Sequence, residues 1–294
     1  MYQRHKYKSD SELDWRTFKS PAATLKYDGA NFFMQVEPSG ALRFFSRRES
    51  VKGGFPERTS QLPHLTEKKM PKYAGNVYNV ELIHTGLHPD AVESHRVVSG
   101  ILNSLPNKAI QTQKDLGPIR VKIHNVVTPE LTTYADKLLH MKQFEKDYGN
   151  PSLLSSVVPS IGHGPVHSLI ESSRKEGREG VIITDLQTPE EKNPRVKIKH
   201  LVTYNLEVSG IEEEVDKNGK PKGSAGSLLL KDRSGRDVGK VGTGFSRDLR
   251  REIWSYPKEW IGRVIQVQTM GLAARKLRMP VFNGDADGEV DLVE

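Results

Sequence analysis

The chain has no cysteine among its 294 residues, which excludes disulfide bonds, thiolate zinc sites and a cysteine nucleophile. It also has no run of about 18 apolar residues, the length that a membrane-spanning helix requires. The first ten residues, MYQRHKYKSD, are too polar for a secretory signal. We therefore expect a cytoplasmic protein with no membrane partner.

Two common site motifs are missing as well. No G-x-x-x-x-G-K-[ST] loop occurs, so a bound nucleotide is not held in the P-loop manner. His163 and His167 are four residues apart but have no glutamate between them and no obvious third ligand, so a histidine metal site is not indicated.

The charge is uneven along a chain of ordinary globular composition. The net charge is +7, and the two signs balance in residues 201–294, so the whole positive excess lies in residues 1–200. This excess fits an anionic partner such as nucleic acid or nucleotide, although a solvated surface would look the same. The last ten residues, DADGEVDLVE, contain five acids and no base, and we expect this acidic C-terminal tail to be disordered.

Apolar periodicity divides the chain near residue 200. In the first part it predicts strands over 23–37, 40–48, 76–84, 119–127, 179–185 and 195–200. Helices are predicted there over 89–106, 130–148 and 165–177. After residue 200 it predicts short strands over 204–214, 226–235, 239–245 and 263–273, with one helix over 246–257. The predicted fold class is α+β: a domain of antiparallel sheets flanked by helices (1–200) and a small β-barrel (201–294).

Charged side chains occur inside several of these strands. Because alternate residues of a strand share a face, Lys26 and Asp28 are expected to point the same way, as are Lys197 and Lys199. Any one of them alone fits the solvent face of a half-exposed strand. Together they indicate a lysine nucleophile with cationic neighbours that lower its proton affinity and neutralise a triphosphate.

Two glutamates complete this chemistry. Glu81 lies in the apolar run YNVELIH, and Glu179 begins EGVIITD. Carboxylates are the ligands that magnesium combines with phosphate oxygens. The residues therefore indicate attack by Lys26 on the α-phosphorus of a nucleoside triphosphate, with Mg²⁺ held at Glu81 and Glu179.

The same segments resemble the motifs of the covalent nucleotidyltransferases, which comprise DNA ligases, RNA ligases and mRNA capping enzymes. KYDG is similar to their nucleotidyl-lysine motif, and FFSRR, VELI, VKIHNVV, REGVIITD and RVKIKH follow in the family order. The resemblance implies that Arg47 contacts ribose or phosphate, that Glu81 lies near the ribose and metal, and that His124 stacks on adenine.

The resemblance also assigns residues as groups. The implied catalytic residues are Lys26, Asp28, Lys197 and Lys199. The implied nucleotide-binding residues are Thr24, Leu25, Lys26, Arg47, Glu81, His124, Glu179, Lys197, Lys199 and Arg278. The implied metal ligands are Glu81 and Glu179.

The C-terminal part is most similar to small, bacteriophage-type ATP-dependent DNA ligases. VGTGFSRDLRREIW resembles a segment of their OB-fold domain, and LRMPVF resembles their last motif, in which Arg278 is the basic residue. The resemblance implies an adenylation domain (1–200), an OB-fold (201–294), the cofactors ATP and Mg²⁺, and a monomer that seals nicked duplex DNA. A viral chain would work in the host-cell cytoplasm, in DNA replication, repair or recombination.

Three departures keep alternatives open. Asn31 lies where DNA ligases often have arginine, and it is more typical of one group of RNA-end-joining ligases. His124 replaces the usual tyrosine or phenylalanine, and Met279 replaces the histidine of the last motif. An RNA ligase with the same lysyl-AMP chemistry is the first alternative, and a non-enzymatic, basic nucleic-acid-binding protein is the second.

Overall fold

The computed structural model describes residues 7–8, 13–51, 53–84, 91–128, 130–176, 178–273, 275–286 and 288–293. The chain divides into two compact units, Met1–His200 and Leu201–Glu294. No helix in the described part of the chain is long and apolar enough to cross a membrane. The predicted start of the first helix (89–106) at Pro89 and Asp90, and the predicted end of the third helix (165–177) at Gly177, lie outside the described residues.

The first unit contains two five-stranded sheets and the helices that cover them. Its strands are β1 Tyr7–Lys8, β2 Pro21–Leu25, β3 Ala30–Val36, β4 Leu42–Ser46, β5 Val77–His84, β6 Ile119–Val127, β7 Leu154–Ser156, β8 Ser160–Ile161, β9 Gly180–Asp185 and β10 Val196–Lys199. Its α-helices are α1 Pro63–Thr66, α2 Ala91–Leu102, α3 Pro106–Leu116, α4 Tyr134–Tyr148 and α5 His163–Lys175. Helix α3 was not predicted from the sequence.

Each sheet has one apolar face covered by helices. Sheet I has the strand order β1-β10-β9-β2-β8, and sheet II has the order β4-β3-β5-β6-β7. Pairing is antiparallel except between β1 and β10 and between β6 and β7. Helix α5 packs on sheet I, whereas α2 and α4 pack on sheet II. The predicted α+β architecture of mainly antiparallel sheets is confirmed.

Local sequence sets the limits of the helices. Helix α4 begins after Thr133, whose hydroxyl accepts a hydrogen bond from the Asp136 amide over 3.2 Å, and it ends at Gly149 in the left-handed region (φ 75°). These are the usual N-terminal and C-terminal caps. The two caps fix the ends of α4, which packs on β6 and β7.

The predicted continuous strand over 23–37 is wrong. β2 ends at Leu25 in sheet I and β3 begins at Ala30 in sheet II, so Lys26–Gly29 crosses between the two sheets. The crossing requires a close backbone approach, because a Cβ built on Gly29 would lie 2.1 Å from the carbonyl oxygen of Leu82. Lys26 and Asp28 therefore do not share the face of one strand.

The second unit contains another five-stranded sheet with two helices. Its strands are β11 Val202–Val215, β12 Pro221–Lys231, β13 Asp237–Val241, β14 Val264–Thr269, β15 Leu272–Ala273, β16 Lys276–Leu277 and β17 Val281–Asp285, and its helices are α6 Arg247–Ser255 and α7 Pro257–Trp260. The sheet order is β13-β12-β11-β14-β17. Among the described residues no ladder joins β13 to β17, so the sheet is not closed by hydrogen bonds.

The acidic end of the chain packs on the second unit, contrary to the predicted disorder. The carboxylate of Asp291 accepts a hydrogen bond from the Asn205 amide over 2.7 Å, and the Asp291 amide donates to the Asn205 carbonyl over 2.8 Å. Val293 is only 1% exposed and belongs to the core of this unit. One apolar side chain and a paired backbone thus hold an otherwise acidic segment in place.

Candidate active site

A cavity of about 1020 Å³ lies in the first unit, and strands of both sheets, the loops between them and helix α2 line it. On β10, Val196 and Ile198 enter the helix-side core, so Lys197 and Lys199 occupy the other face, as alternation predicted. Seven of the predicted site residues line the cavity: Thr24, Leu25, Lys26, Arg47, Glu81, His124 and Lys197.

Lys26 is held by contacts with the first residue of β9 and with the glutamate that precedes it. Its amide donates to the Gly180 carbonyl over 2.9 Å, and its ammonium contacts Oε2 of Glu179 directly. The other oxygen, Glu179 Oε1, lies 3.7 Å from the ammonium of Lys199. The Glu179 side chain is 5% exposed, so one buried carboxylate links the two lysines.

Gly180 makes this contact possible. A Cβ at this position would lie 2.0 Å from the Ile198 carbonyl oxygen, and its φ is +143°. The glycine after Glu179 therefore allows β9 and β10 to approach closely next to Lys26. The role of glycine in the E-G motif is thus a packing requirement.

Lys197 has a lowered affinity for its proton. Burial, followed by the nearby charges of Lys26 and Arg47, lowers the pKa of Lys197 to about 8. A desolvated cation among other cations is a strong site for phosphate oxygens, because the incoming negative charge relieves this repulsion.

Glu81 is oriented by the crossing segment and by β3. Its two carboxylate oxygens accept hydrogen bonds from the Gly29 amide over 3.1 Å and from the Asn31 side-chain amide over 3.2 Å. Burial raises the pKa of Glu81 to about 7, although Lys26 and Asn31 oppose this shift. Glu81 is thus fixed in position, and its burial favours the neutral carboxyl more than in a solvent-exposed glutamate.

His124 is the extra residue of a β-bulge in β6. Asn79 of β5 pairs with Asn125, and Val80 pairs with Ile123, so His124 has no partner in the ladder. Burial, with smaller contributions from Arg195 and Lys26, lowers the pKa of His124 to about 3. The ring is therefore neutral at physiological pH, and its Nε2 lies 3.5 Å from the Asn31 amide nitrogen.

The bulge brings two consecutive side chains to the cavity, because both His124 and Asn125 line it. Asn125 is 4% exposed, and its Oδ1 has no hydrogen-bond partner. Asn79, directly across the ladder, also has both side-chain amide atoms unpaired. Buried polar atoms without partners cost about 1–3 kcal/mol each, so these two amides require an explanation.

Several cavity residues were not predicted. Arg195 lines the cavity and forms two bonds to Glu190 of 3.1 and 3.2 Å, and its guanidinium lies 5.3 Å from the ring centre of Tyr134. Arg195 lies two residues before Lys197, so in an extended chain the two side chains point to the same face. Strand alternation could therefore have identified Arg195. Tyr134, Thr184 and His95 also line the cavity, but no sequence signal distinguished them.

The second unit carries the remaining candidates. Arg278 follows β16, and its carbonyl accepts hydrogen bonds from Thr269 Oγ1 over 2.7 Å and from the Met270 amide over 3.0 Å. On α6, the Arg250 side chain donates to the carbonyls of Ala225 and Gly226 over 2.8 and 2.9 Å, so Arg250 has a structural role.

The two glutamates predicted to bind metal, Glu81 and Glu179, are not part of a larger cluster of metal-ligating side chains in the described residues. Among the described residues no group of three or more histidine, aspartate or glutamate side chains is arranged to hold an ion. His163 and His167 instead lie beside the Trp15 ring, with ring centres 5.5 and 4.4 Å away.

No protein-family model matches this sequence, and no curated protein matches it. Solved structures share the fold. Two described as Pmar-Lig_PreS3 and Pmar-Lig_Pre. each have a TM-score of 0.70 and 17% identity, over 95% and 96% of this chain. This chain spans only 66% and 67% of theirs, or about two thirds of their length.

A third structure matches over nearly its whole length. It comes from work described as "DNA binding with a minimal scaffold: Structure-function analysis of Lig E DNA ligases" and has a TM-score of 0.69 and 16% identity. The match covers 97% of this chain and 98% of that one. This chain therefore has the fold of that DNA ligase structure, as the motifs implied.

Proposed function

We propose that this chain is an ATP-dependent polynucleotide ligase that seals 5′-phosphate/3′-hydroxyl nicks in duplex DNA. The observation that carries the proposal is Lys26, whose amine is linked through Glu179 to Lys199 at a cavity that Lys197 also lines. The likeness to a DNA ligase fold over nearly the whole chain supports the same conclusion.

In the first step the nitrogen of Lys26 attacks the α-phosphorus of ATP. A P–N bond forms, the bond to the β-phosphate oxygen breaks, and pyrophosphate leaves. Glu179 contacts the ammonium directly and orients it. The ammonium proton passes to solvent water before the attack, a loss that the positive charges of Lys197 and Lys199 favour. Lys197 and Lys199 neutralise the charge that develops on the α-phosphate oxygens.

The second and third steps transfer and release AMP. The 5′-phosphate of the nicked strand attacks the lysyl-AMP phosphorus, which frees the amine of Lys26 and forms an adenylated DNA end. The adjacent 3′-hydroxyl then attacks that 5′-phosphorus, and AMP leaves as the phosphodiester bond forms. Sealing of this kind would serve DNA replication, repair or recombination.

Magnesium fits the donor set. Glu81 and Glu179 would hold the ion, which prefers one or two carboxylates and completes its shell with water and phosphate oxygens. Each Glu81 oxygen accepts one protein hydrogen bond and keeps a lone pair for a cation. When bound, magnesium neutralises phosphate charge.

The other assignments are part of the same proposal. We propose that Thr24, Leu25, Arg47 and His124 contact the nucleotide, and that the second unit is an OB-fold whose Arg278 contacts the triphosphate. Asp28 lies in the crossing segment beside Lys26 and is proposed to orient that lysine. The partners are ATP and nicked duplex DNA, and the protein is proposed to act as a monomer.

Covalent labelling tests the proposal. Incubation with α-labelled ATP and magnesium should add the mass of AMP to Lys26, and a chase with nicked DNA should remove it. Lys26→Arg, which keeps the charge beside Glu179, should fold normally and acquire no label. Intact wild-type protein without added AMP, or a labelled Lys26→Arg protein, would refute the proposed nucleophile.

An RNA ligase is the second candidate, and Asn31 is the observation that favours it. Its amide bonds to Glu81 and lies beside His124, where DNA ligases often place a longer arginine. Comparing the sealing rates of DNA and RNA nicks by one preparation separates these candidates. A basic protein that binds DNA without acquiring label would instead indicate a non-enzymatic role.

A further inference from the structure

The bulge in β6 places two complementary groups at one part of the cavity. In a regular strand His124 and Asn125 would point to opposite faces, yet both line the cavity. The first offers a flat, uncharged ring and the second offers a carboxamide. A bulge that re-aims a side chain beside an active site is a recurrent device.

The carboxamide oxygen of Asn125 has no hydrogen-bond partner in the described part of the chain. This oxygen, Oδ1, is shielded from solvent, and the residue is 4% exposed. Buried polar side-chain atoms are almost always paired. Because Asn125 also lines the cavity, a molecule in that cavity can supply the missing donor.

We infer that Asn125 reads the edge of the purine base and selects adenine over guanine, an inference that rests on the proposed use of ATP. The amide oxygen accepts from the exocyclic 6-amino group of adenine, and the amide nitrogen donates to the adjacent ring nitrogen, the pairing that asparagine makes with adenine. Guanine carries an oxygen at position 6, which would face the amide oxygen without a proton between them.

The surrounding residues suit a base at the part of the cavity that His124 and Asn125 line. The phosphates must lie near Lys26, where Lys197 and Lys199 provide positive charge. His124 from sheet II and Ile182 from sheet I also line the cavity, and they provide a flat ring and an apolar side chain for the two base faces. Asn125 follows His124 directly, so it meets the rim of a base stacked on that ring.

Nucleotide competition tests this role. The rate of AMP, GMP or IMP attachment to Lys26 is measured by intact mass with ATP, GTP or ITP as the donor. ITP shares the 6-oxygen of guanine without its 2-amino group, so it isolates position 6. The variants are Asn125→Leu, which removes both polar atoms, and Asn125→Asp, which keeps the acceptor. The matched control is Asn79→Leu, since Asn79 is an equally buried, unpaired amide across the ladder and is not among the cavity-lining residues.

Wild-type protein should prefer ATP over both GTP and ITP. Asn125→Leu should reduce this preference by roughly 10- to 100-fold, the range that one bidentate base contact provides, while Asn125→Asp and Asn79→Leu should retain it. An unchanged preference in Asn125→Leu, or an equal loss in Asn79→Leu, would overturn the inference. Wild-type protein that labels equally with ATP and GTP would do the same while leaving the lysyl-nucleotide chemistry intact, and absence of any label would count against the proposed function itself.

Discussion

Lys26 and Glu179 lie 153 residues apart in the sequence and form a direct ion pair in the first unit. One residue leaves sheet I at the end of β2, and the other enters it at the start of β9. Glu179 also faces Lys199 across 3.7 Å, so a single carboxylate balances two lysines. This pairing connects the fold of sheet I to the chemistry of the site.

Removing the charge of Glu179 should destabilise the protein. Glu179→Gln leaves two poorly exposed ammonium groups without their counter-ion, and breaking a buried pair in this way costs about 3 kcal/mol. Urea unfolding at pH 7 measures the change. The control is Glu176→Gln, which breaks an exposed ion pair with Arg178 and should cost at most about 0.5 kcal/mol. Equal effects of the two substitutions would contradict the prediction.

The stability of the first unit should depend on His124 at acidic pH. In the folded protein the pKa of His124 is about 3, whereas an unfolded histidine has a pKa of about 6.5. The unfolded state therefore binds the proton first as pH falls. The stability that results from keeping His124 neutral is fully present above pH 6.5 and is lost as pH falls to 3. Between pH 6.5 and pH 3 we expect the free energy of unfolding of the wild-type protein to fall by roughly 3–5 kcal/mol because of His124. In His124→Phe this contribution should be absent. Parallel stability–pH curves for the two proteins would contradict this assignment.

Gly29 should not tolerate a methyl group. Its Cβ would lie 2.1 Å from the Leu82 carbonyl oxygen, so Gly29→Ala must move the backbone of β5 next to Glu81. We expect a loss of about 3 kcal/mol or more in unfolding free energy, together with loss of AMP labelling. Gly100→Ala is the matched control, because that glycine lies in α2 with open space around it and alanine should stabilise the helix by about 0.5–1 kcal/mol. A Gly29→Ala protein of normal stability would count against the close approach.

Arg250 and Arg251 are neighbours on α6 that should behave differently. Arg250→Met leaves the carbonyls of Ala225 and Gly226 without their donor and should lower stability by about 2–3 kcal/mol. Arg251 makes an exposed contact of 3.4 Å with Asp248, so Arg251→Met should cost less than about 0.5 kcal/mol. Thermal unfolding of the two variants provides the comparison, and a reversed order would refute the structural role of Arg250.

Strand alternation predicted the parts of the site that depend on local geometry. The face of β10 that carries Lys197 and Lys199 and the placement of Glu81 in β5 follow from a two-residue period, which is a property of the backbone alone. The break after Leu25 does not, since β-forming residues continue through the crossing segment. β2 ends where its pairing with β9 ends, at Leu25, and β3 begins where its pairing with β5 begins, at Ala30.

Other features were inaccessible to periodicity because polar residues occupy buried positions. Helix α3 turns Gln113 inward, where its side chain donates to the Gln61 carbonyl over 2.7 Å and accepts from the Ile119 amide over 3.1 Å. The α3 sequence, PNKAIQTQKDL, has only two large apolar residues, Ile110 and Leu116, so apolar periodicity did not predict this helix. The orientation of Asn125 was equally hidden, because a bulge reverses the alternation from which a side chain's direction is inferred.

The unpaired position of His124 in β6 has a consequence for how this strand tolerates change. Asn79 pairs with Asn125 and Val80 pairs with Ile123. Two consecutive residues of β5 therefore pair with the residues on either side of the histidine, and β5 runs without a gap across it. A chain in which His124 alone is deleted would keep every cross-strand partner and lose one imidazole. His124 is thus an insertion on which the pairing of β5 with β6 does not depend. The ring at this position can therefore be replaced or removed without changing the register of the two strands.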